Sequence, residues 1–125
     1  MDLLSGLRTK VESAIGSGLS DRIAAARELK LYDGPGDFGL LVSVSPLRTI
    51  GVALATDLFG ALDFDQRSEL FWSLFENVLT TEEADLVDFW QMFTLDEARQ
   101  FFPDLVRHIP EHAPAAPREP ILAGA

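Results

Sequence analysis

Apolar residues recur at helical spacing along most of the chain, beginning at its first residues. Four of them follow one another at intervals of four: Leu3, Leu7, Val11 and Ile15. This spacing predicts an amphipathic helix near residues 2–15. Gly16-Ser17-Gly18 should end that helix, and Ser20 or Asp21 can cap a second one.

The middle of the chain is also predicted to be helical. Ser45 and Pro46 suit the N-cap and the first residue of a helix that runs to about Leu62. One face of that helix would be apolar, with Leu47, Ile50, Leu54, Leu58 and Ala61. Residues 41–45 alternate between apolar and polar and could form a short strand. A lone strand would lack a partner in a helical chain, so we expect an extended lead-in.

Two aromatic motifs of identical spacing mark the second half of the chain: Phe71-Trp72-x-x-Phe75 and Phe89-Trp90-x-x-Phe93. They start 18 residues apart, which is about five helical turns. Thr80 and Glu83 between them have the spacing of a capping box. The pattern therefore predicts an αα-hairpin over residues 65–93, with its aromatic side chains on one side.

Further helix boundaries complete the predicted fold. Asp63 or Asp65 should cap the first helix of the hairpin, and Thr94 with Glu97 forms a second capping box. Pro103 should kink the last helix or begin a new one. The chain is thus predicted to be all-α, a compact bundle of five to six helices over residues 1–109. Residues 110–125 are predicted to form an extended Pro-rich C-terminal tail, named the Pro-rich tail.

Charge is distributed unevenly and limits the classes of partner. The net charge is −10, and residues 49–125 carry all of it, with four arginines against fourteen acidic residues. Such a surface repels nucleic acid and anionic membranes, and it attracts a basic partner. The most apolar stretch, residues 38–62, contains Pro46, Arg48 and Asp57, so no membrane span is predicted.

The chain has no cysteine, which excludes disulfides and thiolate chemistry. No signal peptide is recognised, and a cytoplasmic location is expected.

Candidate catalytic and metal-binding residues have simpler explanations. Carboxylates that could act as an acid/base pair lie in the first turns of helices, where they stabilise the helix dipole: Glu82, Glu83, Asp96 and Glu97. His108 and His112 have the spacing of a zinc pair, but Pro110 interrupts the helix between them. Acidic residues flank the glycines of residues 33–37 and would repel a phosphate. A plain turn is preferred there over a phosphate or a calcium site. No enzyme activity, cofactor or metal is therefore predicted.

The preferred function is a non-catalytic, protein-binding adaptor or accessory subunit of a larger assembly. Six aromatic residues of the hairpin are predicted to bind a protein partner or a second copy of the chain: Phe71, Trp72, Phe75, Phe89, Trp90 and Phe93. One alternative is an acidic inhibitor that mimics DNA, which requires seven acidic residues in one exposed stripe: Asp57, Asp63, Asp65, Glu69, Glu76, Glu82 and Glu83. Another is a small-ligand-binding helical subunit, which requires a closed pocket among the aromatic side chains.

Overall fold

A three-stranded sheet lies at the centre of the molecule, in a computed structural model that describes residues 3–110. The elements follow in the order α1 (Leu3–Glu28), β1 (Gly39–Val44), β2 (Ile50–Ala55), α2 (Phe64–Ser73), α3 (Thr81–Asp85), β3 (Val87–Phe93) and α4 (Leu95–Phe101). Two 3₁₀ turns, Asp57–Phe59 and Pro103–Val106, follow β2 and α4. The predicted all-α bundle of five to six helices is therefore wrong, because residues 3–110 form four helices and a mixed sheet.

The sheet has the strand order β1-β2-β3, with β2 in the middle. β1 and β2 form an antiparallel hairpin, in which Gly39 lies opposite Ala55. β2 and β3 are parallel, so residues 56–86 cross from one end of the sheet to the other and carry α2 and α3 with them. This crossover places α2 next to the strand β3, where the sequence predicted two helices of an αα-hairpin.

The hairpin turn occupies the position where a helix start was predicted. The Arg48 amide donates to the carbonyl oxygen of Ser45 at 3.0 Å, and the Ser45 hydroxyl accepts from the Leu47 amide at 3.2 Å. Residues 46–48 form a three-residue hairpin loop, closed by Ser45 and Thr49. Its last residue, Arg48, adopts the left-handed region at φ 63°, as is common in such loops. A Ser-Pro pair suits this turn as well as it suits a helix N-terminus. The turn reverses the chain direction, so that residues 50–55 pair with β1. The strand β1 thereby gains the partner strand that the sequence did not predict.

Helix α1 is one continuous helix rather than the predicted two. Its buried residues form a single stripe at intervals of three or four: Leu4, Leu7, Val11, Ile15, Leu19 and Ile23. Gly16 and Gly18 lie inside the helix, and a Cβ at Gly18 would approach Leu74 Cδ2 to 2.8 Å. The glycine at position 18 therefore permits the close packing of α1 against the end of α2. Packing of the apolar stripe on the sheet outweighs the low helix propensity of glycine.

Helix starts in the second half were predicted correctly. Asp63, Thr80 and Thr94 are the N-caps of α2, α3 and α4, and each takes part in a complete capping box. Pro103 begins the 3₁₀ turn after α4. Side-chain caps are local interactions, so they can be recognised without knowledge of the tertiary fold.

Within residues 3–110, apolar side chains form two clusters, one on each side of the sheet. The larger cluster joins α1 and α2 to the side chains of Ile50, Val52 and Leu54 from β2. The smaller one joins Ala53 and Ala55 to residues of α4 and the final turn: Leu95, Ala98, Leu105, Val106 and Ile109. Both faces of β2 are thus buried, although the second cluster is too small to cover the whole sheet.

A glycine at the start of β1 allows the final 3₁₀ turn to contact the sheet. A Cβ at Gly39 would overlap the backbone oxygen of Leu105, so Gly39→Ala forces two backbone segments apart. We expect this variant to lose about 3 kcal/mol, the upper part of the range for overpacking. Gly51→Ala is the matched control, because its new Cβ would lie 3.6 Å from Ser43 Oγ and alanine suits a strand better than glycine does, by about 0.5 kcal/mol. Urea unfolding checks both, and equal stability of the two variants would contradict this packing.

Residues 111–125 lie outside the described residues, so the predicted division between residues 1–109 and the Pro-rich tail stays a prediction. Within residues 3–110, no helix combines the length and the apolar character that crossing a bilayer requires.

Candidate protein-interaction surface

The second aromatic motif lies on a strand, and this divides its side chains between two faces of the sheet. Phe89 and Phe93 point to one face, and Trp90 lies between them on the other, because successive side chains of a strand alternate. The predicted αα-hairpin over residues 65–93 is therefore wrong. The spacing of Phe89 and Phe93 puts them on one side in a helix and in a strand alike, so the motif fits both structures. Val87, Phe89 and Trp90 favour the strand by propensity.

The first motif meets Trp90 in one cluster of rings in the interior. Phe71 is fully buried and Phe75 nearly so, whereas Trp72 and Trp90 are half-buried. The Phe71 ring lies 5.1 Å from both Trp72 and Phe75 and stacks on Trp90 at 5.9 Å, measured between ring centroids. Trp72 and Trp90 contact each other edge to face at 5.1 Å. Four of the six predicted partner-binding residues thus pack together on the α1 side of the sheet.

The opposite face of the sheet consists of three rows of side chains that cross all three strands. Gly39, Ala55 and Phe93 form the first row, Leu41, Ala53 and Gln91 the second, and Ser43, Gly51 and Phe89 the third. α4 and the final turn pack on the first row and on Ala53 of the second. No described residue packs over the third row in the same way. The uncovered region, named the open sheet face, consists of Leu41, Ser43, Gly51, Phe89, Gln91 and Phe102.

The open sheet face is apolar and has a shallow hollow. Phe89 is 57 % exposed and Leu41 47 % exposed. The two residues line a hollow of about 100 Å³ together with Phe102, which packs against the edge of the smaller apolar cluster. Gly51 lines the hollow without a side chain, and a Cβ there would meet nothing closer than 3.6 Å. A hollow with aromatic side chains at its rim can take an apolar side chain from another molecule.

Acidic residues lie next to Phe89 in the chain. Asp88 precedes it and Asp85 ends α3, and both side chains are exposed. Neither makes an ion pair within residues 3–110. Charged residues at the start of an edge strand discourage uncontrolled pairing with another sheet. The same charges attract a basic segment to this edge.

Several acidic residues of the DNA-mimic hypothesis interact within the fold. An Asp57 carboxylate oxygen accepts a hydrogen bond from the Leu95 amide at 2.9 Å, and Asp63 caps α2. Glu83 accepts from Lys10 Nζ at 2.9 Å, and this bond, with the Thr80 amide, holds the pKa of Glu83 below its usual value. These three carboxylates thus stabilise the N-termini of three different helices: α4, α2 and α3.

A second groove lies between α1 and α3, away from the aromatic residues. Its volume is about 500 Å³, and its lining includes Leu3, Gly6, Leu7 and Leu86. Lys10 and Glu83 form an ion pair along it. The small-ligand hypothesis requires a closed pocket among the aromatic side chains, and this groove is an open one with aliphatic walls.

The glycine-rich loop after α1 is arranged around Tyr32. The Tyr32 hydroxyl donates to the Pro35 carbonyl oxygen at 2.6 Å, and Arg27 Nη2 donates to the Gly34 carbonyl oxygen at 2.7 Å. A Cβ at Gly34 would come within 2.6 Å of the Tyr32 oxygen, so this glycine is needed for contact with the ring. The carbonyl oxygens of Gly34 and Pro35 thus accept hydrogen bonds from side chains of the same chain.

The ionisation of Tyr32 provides a test of this loop. Burial, and then the negative charge of Asp57, raise the pKa of Tyr32 from 10.0 to about 12. Because the pKa is higher in the folded chain, the stabilisation is complete below pH 10 and is lost as the pH rises towards 12. Tyr32 is the one tyrosine of the chain, so ultraviolet absorbance of the phenolate reports it alone. A midpoint near 10 in the folded protein would contradict the half-buried position of the Tyr32 ring.

The histidine pair predicted from spacing is only partly described. His108 Nε2 lies 3.2 Å from the Phe38 carbonyl oxygen, next to the start of β1, and His112 lies outside the described residues. Within residues 3–110, no group of three or more His, Asp or Glu side chains converges to hold a metal ion.

Comparisons with protein-family models, with curated proteins and with solved structures find no match to this chain. A function for the chain must therefore be argued from its own surfaces.

Proposed function

We propose that this protein is a non-catalytic, protein-binding adaptor or accessory subunit, and that its open sheet face binds the partner. The observation that carries the proposal is the uncovered third row of the sheet, where Phe89 keeps more than half of its surface exposed. Exposed aromatic side chains that surround a hollow are typical of interface anchors. The site thus differs from the helical hairpin predicted from the sequence, although Phe89 belongs to both.

The partner is proposed to be a protein segment that carries apolar and basic side chains. An apolar side chain would enter the hollow above Gly51, between Leu41 and Phe89. A basic side chain would approach Asp85 and Asp88, and the net charge of −10 would speed the encounter. An extended segment could also pair with β1 or β3, because each has one neighbour in the described sheet and so keeps backbone groups available.

The proposal also covers location and self-association. A cytoplasmic location suits a chain without cysteine, because its fold does not depend on disulfides. A second copy of the chain is the alternative partner, since an apolar face of this kind can also form a symmetric dimer. The mass of the purified protein by light scattering separates a monomer, which needs a different protein as its partner, from a dimer.

Capture from the native host tests the proposed face directly. The tagged full chain is compared with Phe89→Thr, which removes the ring and keeps a residue that suits a strand. The control is Phe64→Thr, because Phe64 is 65 % exposed on α2. We expect the same protein to bind to the wild type and to Phe64→Thr, with at least a tenfold loss for Phe89→Thr, about 1.4 kcal/mol or more of binding energy.

Two outcomes would contradict the proposal. Equal recovery of the captured protein by all three chains would place its binding site elsewhere. Loss of binding in both variants would show that exposed phenylalanines contribute to binding wherever they lie. The open sheet face would then be excluded as the specific binding site.

A further inference from the structure

The open sheet face lies beside the point from which the Pro-rich tail leaves the described fold. The Leu105 carbonyl packs against Gly39, and His108 Nε2 lies 3.2 Å from the Phe38 oxygen. The last described residue, Pro110, therefore follows a turn that is fixed to the first residues of β1. Ser43, in the uncovered third row, lies four residues further along the same strand, a distance of about 13 Å.

The sequence of the tail fits a hollow with aromatic walls. Its prolines at 114, 117 and 120 recur every three residues, which places them on one side of a polyproline helix. Pro-rich segments of this kind dock in aromatic-lined grooves, and Phe89 and Phe102 line the hollow on the open sheet face. Ile121 and Leu122 follow the last of these prolines and supply apolar side chains.

The length of the tail is sufficient for such a contact. Ile121 lies eleven positions after Pro110, and an extended Pro-rich segment of eleven steps spans about 34 Å. This exceeds the distance from the start of β1 to the third row. A tethered segment has an effective concentration in the millimolar range, so even a weak contact would be well populated.

We propose that the Pro-rich tail docks on the open sheet face of its own chain, with Pro120, Ile121 and Leu122 against Phe89, Phe102 and Leu41. The inference rests on the proposed function, because the docked tail would cover the face that we assign to the partner. The partner must then displace the tail, which lowers its apparent affinity by the fraction of molecules that are covered. The tail would act as a built-in competitor for its own binding site.

Disulfide trapping in the full chain tests this docking, because the chain contains no cysteine. Ser43→Cys combined with Ala123→Cys places one thiol in the third row and one just beyond Leu122. The control combines Ser20→Cys, an exposed residue of α1 on the other side of the sheet, with Ala123→Cys. We expect the Ser43 pair to form an intramolecular disulfide about tenfold faster or more than the control pair, given the millimolar local concentration. Adding Ile121→Asp and Leu122→Asp should reduce that rate to the control value.

Each other outcome overturns the inference. Equal rates of disulfide formation for the two cysteine pairs would mean that the tail has no preference for the open sheet face. A rate that the two aspartates leave unchanged would contradict an apolar contact of Ile121 and Leu122. Disulfide-linked dimers would show that the tail reaches a second copy instead. The trapping uses no partner protein, so its failure leaves the capture result for Phe89→Thr intact, and failure of the capture leaves the trapping result intact.

Discussion

Phe71→Ala should destabilise the protein by about 3–5 kcal/mol, the range for removing a large aromatic side chain from a core. Phe71 is fully buried and contacts the rings of Trp72, Phe75 and Trp90. Its loss would leave a cavity between α2 and the sheet, which rigid neighbouring rings cannot fill. The emission of the two tryptophans follows unfolding well, because both lie in this cluster.

The control for this prediction is Phe64→Ala, which removes an equally large ring from the surface of the same helix. Phe64 is 65 % exposed, so a change of about 0.5 kcal/mol or less is expected. A loss below about 1 kcal/mol for Phe71→Ala would contradict the interior position of the first motif.

Arg67→Met should destabilise the protein by about 2–3 kcal/mol, because hydrogen bonds to charged groups are among the stronger ones. Arg67 Nε donates to the Leu62 oxygen at 3.0 Å and Nη1 to the Met92 oxygen at 3.3 Å. Nη1 also donates to Glu97 Oε1 at 2.8 Å, and the guanidinium lies 5.7 Å from the centre of the Phe59 ring. One side chain thus joins α2 to the end of β3 and to the cap of α4.

The matched control is Arg8→Met, which removes an exposed ion pair with Glu12 at 3.8 Å. Such pairs contribute about 0.5 kcal/mol or less. Denaturant unfolding of both variants at neutral pH gives the comparison. Similar small losses in the two variants would contradict the role assigned to Arg67.

The pH dependence of the Arg67 variant gives a second measurement of the same contact. The Arg67 hydrogen bond, and then the Thr94 amide, hold the pKa of Glu97 below its usual value. A carboxylate with a lowered pKa stabilises the fold above its unfolded pKa, and this stabilisation is lost as the pH falls through the folded pKa. The difference in stability between wild type and Arg67→Met should therefore shrink in acid. A constant difference would show that Arg67 acts without Glu97.

Local chemistry was predictable from the sequence where the signal needs only a few neighbouring residues. The capping boxes at Thr80 and Thr94 form as predicted, because each depends on residues three positions apart. The Pro103 boundary is of the same kind. Such signals mark where a helix begins, and they do not decide what the next segment becomes.

The strands were missed because their signals are shared with helices or depend on distant partners. Ser45-Pro46 fits a helix start and a hairpin turn, and only the pairing of β1 with β2 decides between them. Phe89 and Phe93 fit both periodicities, and the parallel pairing of β3 with β2 decides there. A more useful signal was the alternation at residues 41–45, since one strand implies that the chain contains another.

The location of the candidate site could not be predicted from the sequence. Among the described residues, Phe64, Phe89 and Phe101 are exposed, and Phe89 is the one of these that belongs to the two motifs. The choice among the six residues of the motifs required the sheet, which buries Phe71 and Phe75 and leaves Phe89 outside. No local pattern records which face of a strand the rest of the chain will cover.

The free energy of unfolding of Phe89→Thr shows whether Phe89 lies on an uncovered face of the sheet or in the core. Threonine suits a strand and the ring is largely exposed, so the variant should lose about 1 kcal/mol or less. A loss of about 3–5 kcal/mol, as for Phe71→Ala, would mean that the ring is part of the interior. The open sheet face would then be no binding surface.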